Sequence, residues 1–230
     1  MIEKNLELIF NTLKNGNNLG EEITLVGASK TMSAEIINRA IFAGLKIVAE
    51  NKVQEFREKT ALIDTSAEQH FIGHLQTNKV KYLVGNVSLI HSVDTIHLAD
   101  EINKDAQKKG VIQKVLVEVN IGNEQSKSGF DFNQAEAAVK EIAKNYTNIS
   151  VIGLMAMLPK TDNTEYLTRL CNDMRNLFDT LKSQGLPFKY LSMGTSSDYK
   201  IAINNGSNMI RLGTTIFGER NYGEKKNGNI

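Results

Sequence analysis

Eight short runs rich in aliphatic and β-branched residues recur along this chain and alternate with longer segments that carry helical apolar spacing. The runs cover residues 23–28, 46–49, 70–72, 87–91, 114–121, 150–157, 190–193 and 209–212. This alternation is the sequence form of repeated βα units around a parallel sheet. It predicts an α/β fold, a single-domain (β/α)8 TIM barrel, with a doubly wound open sheet as the alternative.

An additional N-terminal helix is predicted before the first run. Its apolar residues recur at steps of three and four: Ile2, Leu6, Ile9 and Leu13. Acidic residues between them distinguish this segment from a signal peptide, whose apolar core is uninterrupted. Because 230 residues suit one barrel domain and no Ser/Pro-rich linker divides them, we expect the barrel to span residues 1–222, followed by a flexible polar tail at residues 223–230.

The amino-acid composition limits the partners that this protein could bind and the cellular compartment that suits it. Lys plus Arg (27) nearly balance Asp plus Glu (26), so no overall field favours nucleic acid or an anionic membrane surface. The longest apolar stretch, residues 151–158, is far shorter than the roughly 20 residues of a membrane-spanning helix. The single cysteine, Cys171, excludes an internal disulfide and falls in a helical apolar stripe. These features predict a cytoplasmic monomer that binds neither nucleic acid nor membrane.

One lysine directly follows the first β-rich run. In the segment VGASKT, Lys30 stands where a barrel strand would end, which is the side of the fold that carries active-site loops. Partial burial lowers the pKa of a lysine amine from its ordinary value of about 10.4, and a neutral amine can form a Schiff base with a carbonyl compound. Position alone leaves an equal alternative, a solvated lysine leaning out of the strand end.

Two small, hydroxyl-rich loops follow the last two runs. Residues 192–198 read SMGTSSD and residues 211–215 read RLGTT. Glycine lets an anion approach the backbone, and hydroxyl and helix-start N–H groups donate to it. Helix capping accounts for each loop taken alone. Closure of a barrel would bring both loops next to the first strand, however, and loops in this place often hold a phosphate.

A lysine amine beside a phosphate site suggests pyridoxal 5'-phosphate as the cofactor, with its aldehyde at Lys30. The phosphate would meet residues of the two loops: Ser196, Gly213 and Thr214. Arg211 lies within the last apolar run, so an inward-pointing guanidinium needs a partner. A pyridine ring nitrogen is one candidate partner, and a strand-end carboxylate such as Glu118 is the other.

Four motifs, in this order along the chain, match one known family. They are LVGASKT around Lys30, AENKVQE at residues 49–55, HFIGHLQTNK at residues 70–79, and SMGTSSD with RLGTTIFGERNY near the end. The chain thereby resembles the pyridoxal phosphate homeostasis proteins, single-domain barrels related to the N-terminal domain of alanine racemase. The resemblance implies a protein of intracellular pyridoxal phosphate homeostasis that holds the cofactor reversibly as a Schiff base on Lys30. It implies further cofactor contacts from Asn51, Met155, Ser196, Arg211, Gly213 and Thr214.

The resemblance favours a carrier over an enzyme, with pyridoxal-phosphate-dependent apo-enzymes as partners. Racemases of this fold take an opposing tyrosine from a second, β-rich domain, and an arginine on the ring nitrogen makes a weaker electron sink than a carboxylate does. The alternative is an enzyme, an amino-acid racemase of the alanine racemase type or a decarboxylase, that takes its second acid from a partner chain or from a tyrosine such as Tyr199 or Tyr222. A phosphosugar-binding barrel with a Schiff-base lysine is a third reading. Two departures from the family, Ala49 and Thr195, concern close backbone contacts and not the lysine.

Three further polar residues call for an interpretation. His70 and His74 stand four apart, but a strand and a turn are expected there, so the helical spacing of a metal pair is not met and we predict no metal site. Both are expected to be structural or to line the top of the barrel. Lys127 follows the fifth run, and its role is left open.

Overall fold

The computed structural model describes residues 1–219, in which parallel strands form a closed ring. The strands are β1 (Thr24–Ala28), β2 (Ile47–Glu50), β3 (Glu68–Phe71), β4 (Leu89–Val93), β5 (Gln113–Asn120), β6 (Phe130–Asp131), β7 (Ile149–Ala156), β8 (Tyr190–Ser192) and β9 (Met209–Leu212). The hydrogen-bonded order is β4-β3-β2-β1-β9-β8-β7-β5-β6, and β4 also pairs with β5. That last pairing closes an eight-stranded barrel, to which the two-residue β6 adds beside β5. The predicted TIM barrel is confirmed, and the open-sheet alternative is wrong.

Helices cover the barrel. They are α1 (Ile2–Leu13), α2 (Ala34–Phe42), α3 (Val53–Lys59), α4 (Ile96–Lys109), α5 (Phe132–Asn145), α6 (Thr164–Ser183), α7 (Tyr199–Ile203) and α8 (Thr214–Phe217), with 3-10 turns at Thr60–Leu62 and Thr77–Tyr82. Helix α1 buries the four predicted apolar residues and packs against α2 and α8. Its Asn5 side-chain amide donates to the Ile216 carbonyl at 3.0 Å. The additional N-terminal helix is therefore an integral part of the fold.

A cluster of strand residues packs in the barrel interior. It contains Val26, Ile47, Ala49, Leu89, Leu116, Met155 and Met209, all at most 8% exposed. Because alternate residues of a strand point to the same face, the neighbours of these residues pack outward against the helices. Burial of both faces explains why the strands appear in the sequence as nearly continuous apolar runs.

Two further expectations concern membrane-spanning helices and the end of the chain. No helix within residues 1–219 is both long enough and apolar enough to cross a bilayer. The predicted polar tail at residues 223–230, and the last three residues of the predicted barrel domain, lie outside the described residues.

Candidate functional site

A cavity of about 470 Å³ opens at the carboxyl ends of the barrel strands. Its lining comes from the ends of β1, β2, β3, β7, β8 and β9 or from the residues that follow them: Ala28, Lys30, Asn51, Ile72, Met157, Thr195, Ser196, Ser197, Arg211, Gly213 and Thr214. Six of the seven predicted site residues are in this lining. The structure therefore brings together groups that lie as much as 184 positions apart in the chain, such as Lys30 and Thr214.

Met155 is the predicted site residue that does not line the cavity. It is 2% exposed and packs in the interior cluster, whereas Met157 is 40% exposed and lines the cavity wall. Residues two apart on a strand point to the same side, so Met157 lies one layer above Met155 on the same wall. That spacing is the signal that could have indicated Met157 from the sequence. Contact of Met155 with a cofactor ring stays a prediction.

Lys30 sits in a tight turn that joins β1 to α2. The Ser29 carbonyl accepts a hydrogen bond from the Met32 N–H at 3.0 Å, and Lys30 and Thr31 are the two central residues. Thr31 has φ +69°, a left-handed conformation that glycine normally takes at this turn position and that a β-branched residue rarely adopts. Its N–H donates to Glu55 Oε2 at 2.8 Å. The half-buried lysine is thus held on a strained backbone at the cavity wall.

The two hydroxyl-rich loops are joined through one side chain. Ser196 Oγ accepts hydrogen bonds from the N–H groups of Gly213, at 3.3 Å, and Thr215, at 3.2 Å. A Cβ on Gly213 would come within 3.3 Å of the Ala28 carbonyl oxygen, a tight contact that the glycine avoids where the β9 loop passes β1. Since Gly27 of β1 is in register with Leu212 of β9, the loops end beside the Lys30 turn, as the sequence predicted.

Arg211 is fully buried under the cavity and is held mainly by oxygen acceptors. Its guanidinium donates to the Ser192 carbonyl at 2.8 Å, to Ser192 Oγ, and to the Ala156 carbonyl at 2.9 Å. Met157 Sδ lies 3.1 Å from Nη2. Burial lowers the pKa of Arg211 to about 10, while Glu118 and Asp198 oppose that shift, so the guanidinium is charged at neutral pH. Within residues 1–219 no carboxylate pairs with it, and the expected alternative partner Glu118 does not lie in ion-pair contact.

The sequence suggests Glu118 only as a partner for Arg211, but the structure gives this carboxyl group an unusual environment of its own. It lies near the end of β5 and is 8% exposed. Burial, with the neighbouring Asp94 carboxylate, raises the pKa of Glu118 to about 7, and Arg211 and His74 act in the opposite direction. A carboxyl group that titrates near neutrality therefore lies close to the cationic floor of the cavity.

Three of the four histidines lie in two hydrogen-bonded groups. His70 Nδ1 and His91 Nε2 are 3.0 Å apart in the barrel interior, and burial lowers the pKa of both. His74 is exposed, with Nδ1 at 3.1 Å from Asp94 Oδ2. Among residues 1–219 no group of three His, Cys, Asp or Glu side chains could hold a metal ion. His70 is thus a buried interior residue, while His74 lies at the rim.

Lys127, whose role the sequence left open, is tied to the loops at the top of the barrel. Its ammonium donates to the Leu158 carbonyl at 3.1 Å and pairs with Glu124. These contacts join the loop after β5 to the loop after β7, so the structure gives Lys127 a local bridging position next to the cavity residue Met157.

Comparison with known proteins places this geometry in a family. Residues 20–221 match the family described as alanine racemase, N-terminal domain. The pyridoxal phosphate homeostasis protein of Aquifex aeolicus is 45% identical over 200 residues, which are 86% of this chain and 87% of that protein. The protein of the same name from Escherichia coli is 36% identical over 214 residues, 89% of each chain.

Solved structures agree with the sequence matches. PipY of Synechococcus elongatus with pyridoxal phosphate bound superimposes with a TM-score of 0.84 at 28% identity, over 95% of this chain and 100% of PipY. An alanine racemase of Clostridium difficile shares the fold, with a TM-score of 0.78 at 19% identity over 96% of this chain and 57% of the racemase. The chain therefore belongs to the pyridoxal phosphate homeostasis protein family, whose barrel is that of the alanine racemase N-terminal domain.

Proposed function

We propose that this protein binds pyridoxal 5'-phosphate reversibly and thereby serves intracellular pyridoxal phosphate homeostasis. The observation that carries the proposal is the convergence of three chemistries in one 470 Å³ cavity: the Lys30 amine, the Arg211 guanidinium and the hydroxyl-rich loops around Ser196. Two relatives support it. The Aquifex protein is named for this role, and PipY has been solved with the cofactor bound.

The cavity residues fit the cofactor group by group. Asn51 Oδ1 is buried and has no hydrogen-bond partner among residues 1–219, so it is available to a ligand. Hydroxyls of Ser196 and Thr214 would donate to the phosphate, and Arg211, which carries its proton at neutral pH, would face the pyridine nitrogen. When bound, the cofactor supplies an aldehyde that condenses with an amine with loss of one water molecule. Lys30 would provide that amine.

We further propose that the protein holds the cofactor without robust catalysis. The relatives are named homeostasis proteins, not enzymes. Racemisation needs proton donors and acceptors on both faces of the substrate, and within residues 1–219 no tyrosine lines the cavity. Tyr199, one candidate for the second group, packs against the cluster between the barrel and α1, and the other candidate, Tyr222, lies outside the described residues.

The racemase alternative makes a different measurable claim. A racemase of this type would exchange the α-hydrogen of an amino acid with deuterium from the solvent much faster than free pyridoxal phosphate does. We expect the purified protein to exchange no faster than the free cofactor. The likeness to alanine racemase at 19% identity extends to the fold alone.

A spectrum of the purified protein tests the proposal directly. The protein mixed with pyridoxal phosphate is expected to develop a visible absorbance band, which borohydride should remove while fixing the cofactor to one peptide. Mass spectrometry should find that label on Lys30. A protein that stays colourless with excess cofactor would refute the proposal, and a label on another lysine would refute the assignment of Lys30.

The recipients, the location and the assembly state are part of the proposal. We propose a cytoplasmic monomer that delivers the cofactor to pyridoxal-phosphate-dependent apo-enzymes. Mixing the loaded protein with such an apo-enzyme should restore the activity of that enzyme faster than the same concentration of released cofactor does. Equal rates would indicate simple release into solution. Light scattering of the loaded protein at several concentrations would report whether it is a monomer.

A further inference from the structure

Three charged side chains form a network beside the Lys30 turn. The Lys59 ammonium lies 2.9 Å from Glu50 Oε1 and 2.8 Å from Glu55 Oε2. Glu50 ends β2, whereas Glu55 and Lys59 are one turn apart on α3. The side chains of Lys59 and Glu50 are 15% and 8% exposed, so water screens this network far less than it screens a surface ion pair.

The network bonds to the residues on both sides of Lys30. Ser29 Oγ lies 3.0 Å from Glu50 Oε1, the same oxygen that pairs with Lys59. On the other side of the lysine, the Thr31 N–H donates to Glu55 Oε2, again an oxygen that Lys59 also contacts. One ammonium therefore ties together the two carboxylates that hold the Ser29 hydroxyl before Lys30 and the Thr31 N–H after it.

The backbone conformation at Thr31 is one that a threonine by itself disfavours. Thr31 has φ +69° in a turn position that favours glycine, and a threonine keeps this conformation only where its surroundings enforce it. The charge-assisted bond from the Thr31 N–H to Glu55 supplies such enforcement. Burial tends to lower the pKa of Lys59, but its hydrogen bonds to Glu55 and Glu50 raise it overall, so the ammonium persists at physiological pH.

We propose that Lys59, acting through Glu50 and Glu55, is a positioning residue that sets the direction in which Lys30 presents its amine to the cavity. This inference rests on the proposed function, because it concerns the covalent link between Lys30 and the cofactor. Lys59 itself does not line the cavity, and its effect passes through the Ser29 hydroxyl and the Thr31 N–H. A shift of the turn would leave the phosphate loops in place while moving the amine away from its reacting position.

The test compares covalent with noncovalent binding in the full-length protein. In Lys59→Met, the rate at which the visible band forms at saturating pyridoxal phosphate should fall by about tenfold or more, as expected for a misplaced reacting group. Affinity for pyridoxine 5'-phosphate, which lacks the aldehyde, should be unchanged. Glu55→Gln keeps the size of the acceptor and removes its charge, so it provides the same measurement if Lys59→Met folds poorly.

A matched control and a rescue variant make the test specific. Lys104→Met removes a lysine that also bridges two carboxylates, Asp100 and Glu101, but on the exposed surface of α4, and it should leave the rate unchanged. Adding Thr31→Gly to Lys59→Met should restore much of the rate, because glycine adopts the positive φ without strain. A purely stabilising role for Lys59 would instead lower the affinity for pyridoxine 5'-phosphate together with the rate.

The outcomes separate this inference from the proposed function. If wild-type protein forms no covalent link at Lys30, the proposed function fails, and the inference falls with it. If wild-type protein forms the link and Lys59→Met forms it equally fast, the inference alone is wrong. It is also wrong if affinity for pyridoxine 5'-phosphate falls together with the rate, or if Thr31→Gly restores nothing.

Discussion

The two ends of the barrel carry cavities of nearly equal size that present different functional groups. The cavity at the carboxyl ends of the strands, of about 470 Å³, presents an amine, a guanidinium, an amide and several hydroxyls. The cavity at the amino ends, of about 480 Å³, lies between α1 and the starts of β1 and β2, and apolar side chains such as Phe10, Leu25 and Leu45 form much of its wall. Volume alone therefore does not identify a binding site, whereas convergent polar groups do.

The largest expected difference between the two ends concerns their lysines. Lys30→Ala should abolish the covalent link completely and leave weak noncovalent binding through the phosphate loops. Lys46→Ala removes an exposed lysine from the amino-end cavity and should leave the link intact. Borohydride trapping followed by intact-protein mass measurement checks both variants. Trapping in Lys30→Ala at the wild-type level would contradict the assignment of the site to the carboxyl end.

A change in the amino-end cavity should affect folding stability strongly and cofactor binding little. Leu45 is 1% exposed, so Leu45→Ala should lower the free energy of unfolding by about 2–5 kcal/mol through lost burial and the space left behind. Urea denaturation of the cofactor-free protein measures this change. Cofactor affinity of the folded variant should equal that of the wild type, and a large loss of affinity would show that the two ends are coupled.

The pH dependence of stability should reflect the charged carboxyl end. The pKa of Glu118 is raised from 4.5 to about 7 in the folded protein, so the folded state binds more protons than the unfolded state between these values. Stability therefore falls as pH rises through that window, by at most about 3 kcal/mol from this group. Glu118→Gln should remove this loss, so its stability relative to the wild type should be greater at pH 8 than at pH 4. Equal differences at both values would contradict the assignment.

The pair His70 and His91 should have the opposite effect on folding stability, lowering it as the pH falls. Burial lowers the pKa of His70 and of His91, so below the unfolded value of about 6.5 the unfolded state takes up more protons, and folding stability falls. Replacing both residues by Gln should flatten the pH profile of unfolding between pH 6.5 and about pH 5. A slope as steep as that of the wild type would show that other groups cause the acid sensitivity.

The smallest expected effect concerns the hydrogen bonds through which Ser196 connects the two hydroxyl-rich loops. Ser196→Ala removes the acceptor of the Gly213 and Thr215 N–H groups, and a hydrogen bond of this kind contributes about 1 kcal/mol. Cofactor affinity should therefore fall about fivefold. Ser183→Ala removes an exposed serine hydroxyl at the end of α6 and serves as the control. Titration of the visible band measures both variants, and equal affinities would show that Ser196 does not organise the loops.

Much of the fold and of the candidate site follows from local patterns. All eight predicted runs coincide with barrel strands to within a few residues, because buried parallel strands must be apolar on both faces. Six of the seven predicted site residues line one cavity, because parallel strands deliver their carboxyl-end loops to the same side. Met157 was missed because the barrel interior has layers, and the sequence does not show at which residue a strand reaches the open layer.

The sequence by itself determined the number of βα units, the place of Lys30 at a strand end and the hydroxyl-rich character of the last two loops. These are local properties, set by side-chain periodicity and by the residues that end each strand. Only the tertiary structure decided that carbonyl and hydroxyl oxygens hold Arg211 and that Lys59 braces the Lys30 turn. For Arg211 the reason is the parallel pairing of β9 with β8 and of β8 with β7, which brings the Ser192 and Ala156 acceptors within reach of the guanidinium. For Lys59 it is the packing of α3 against the end of β2, which places both carboxylates within reach of one ammonium.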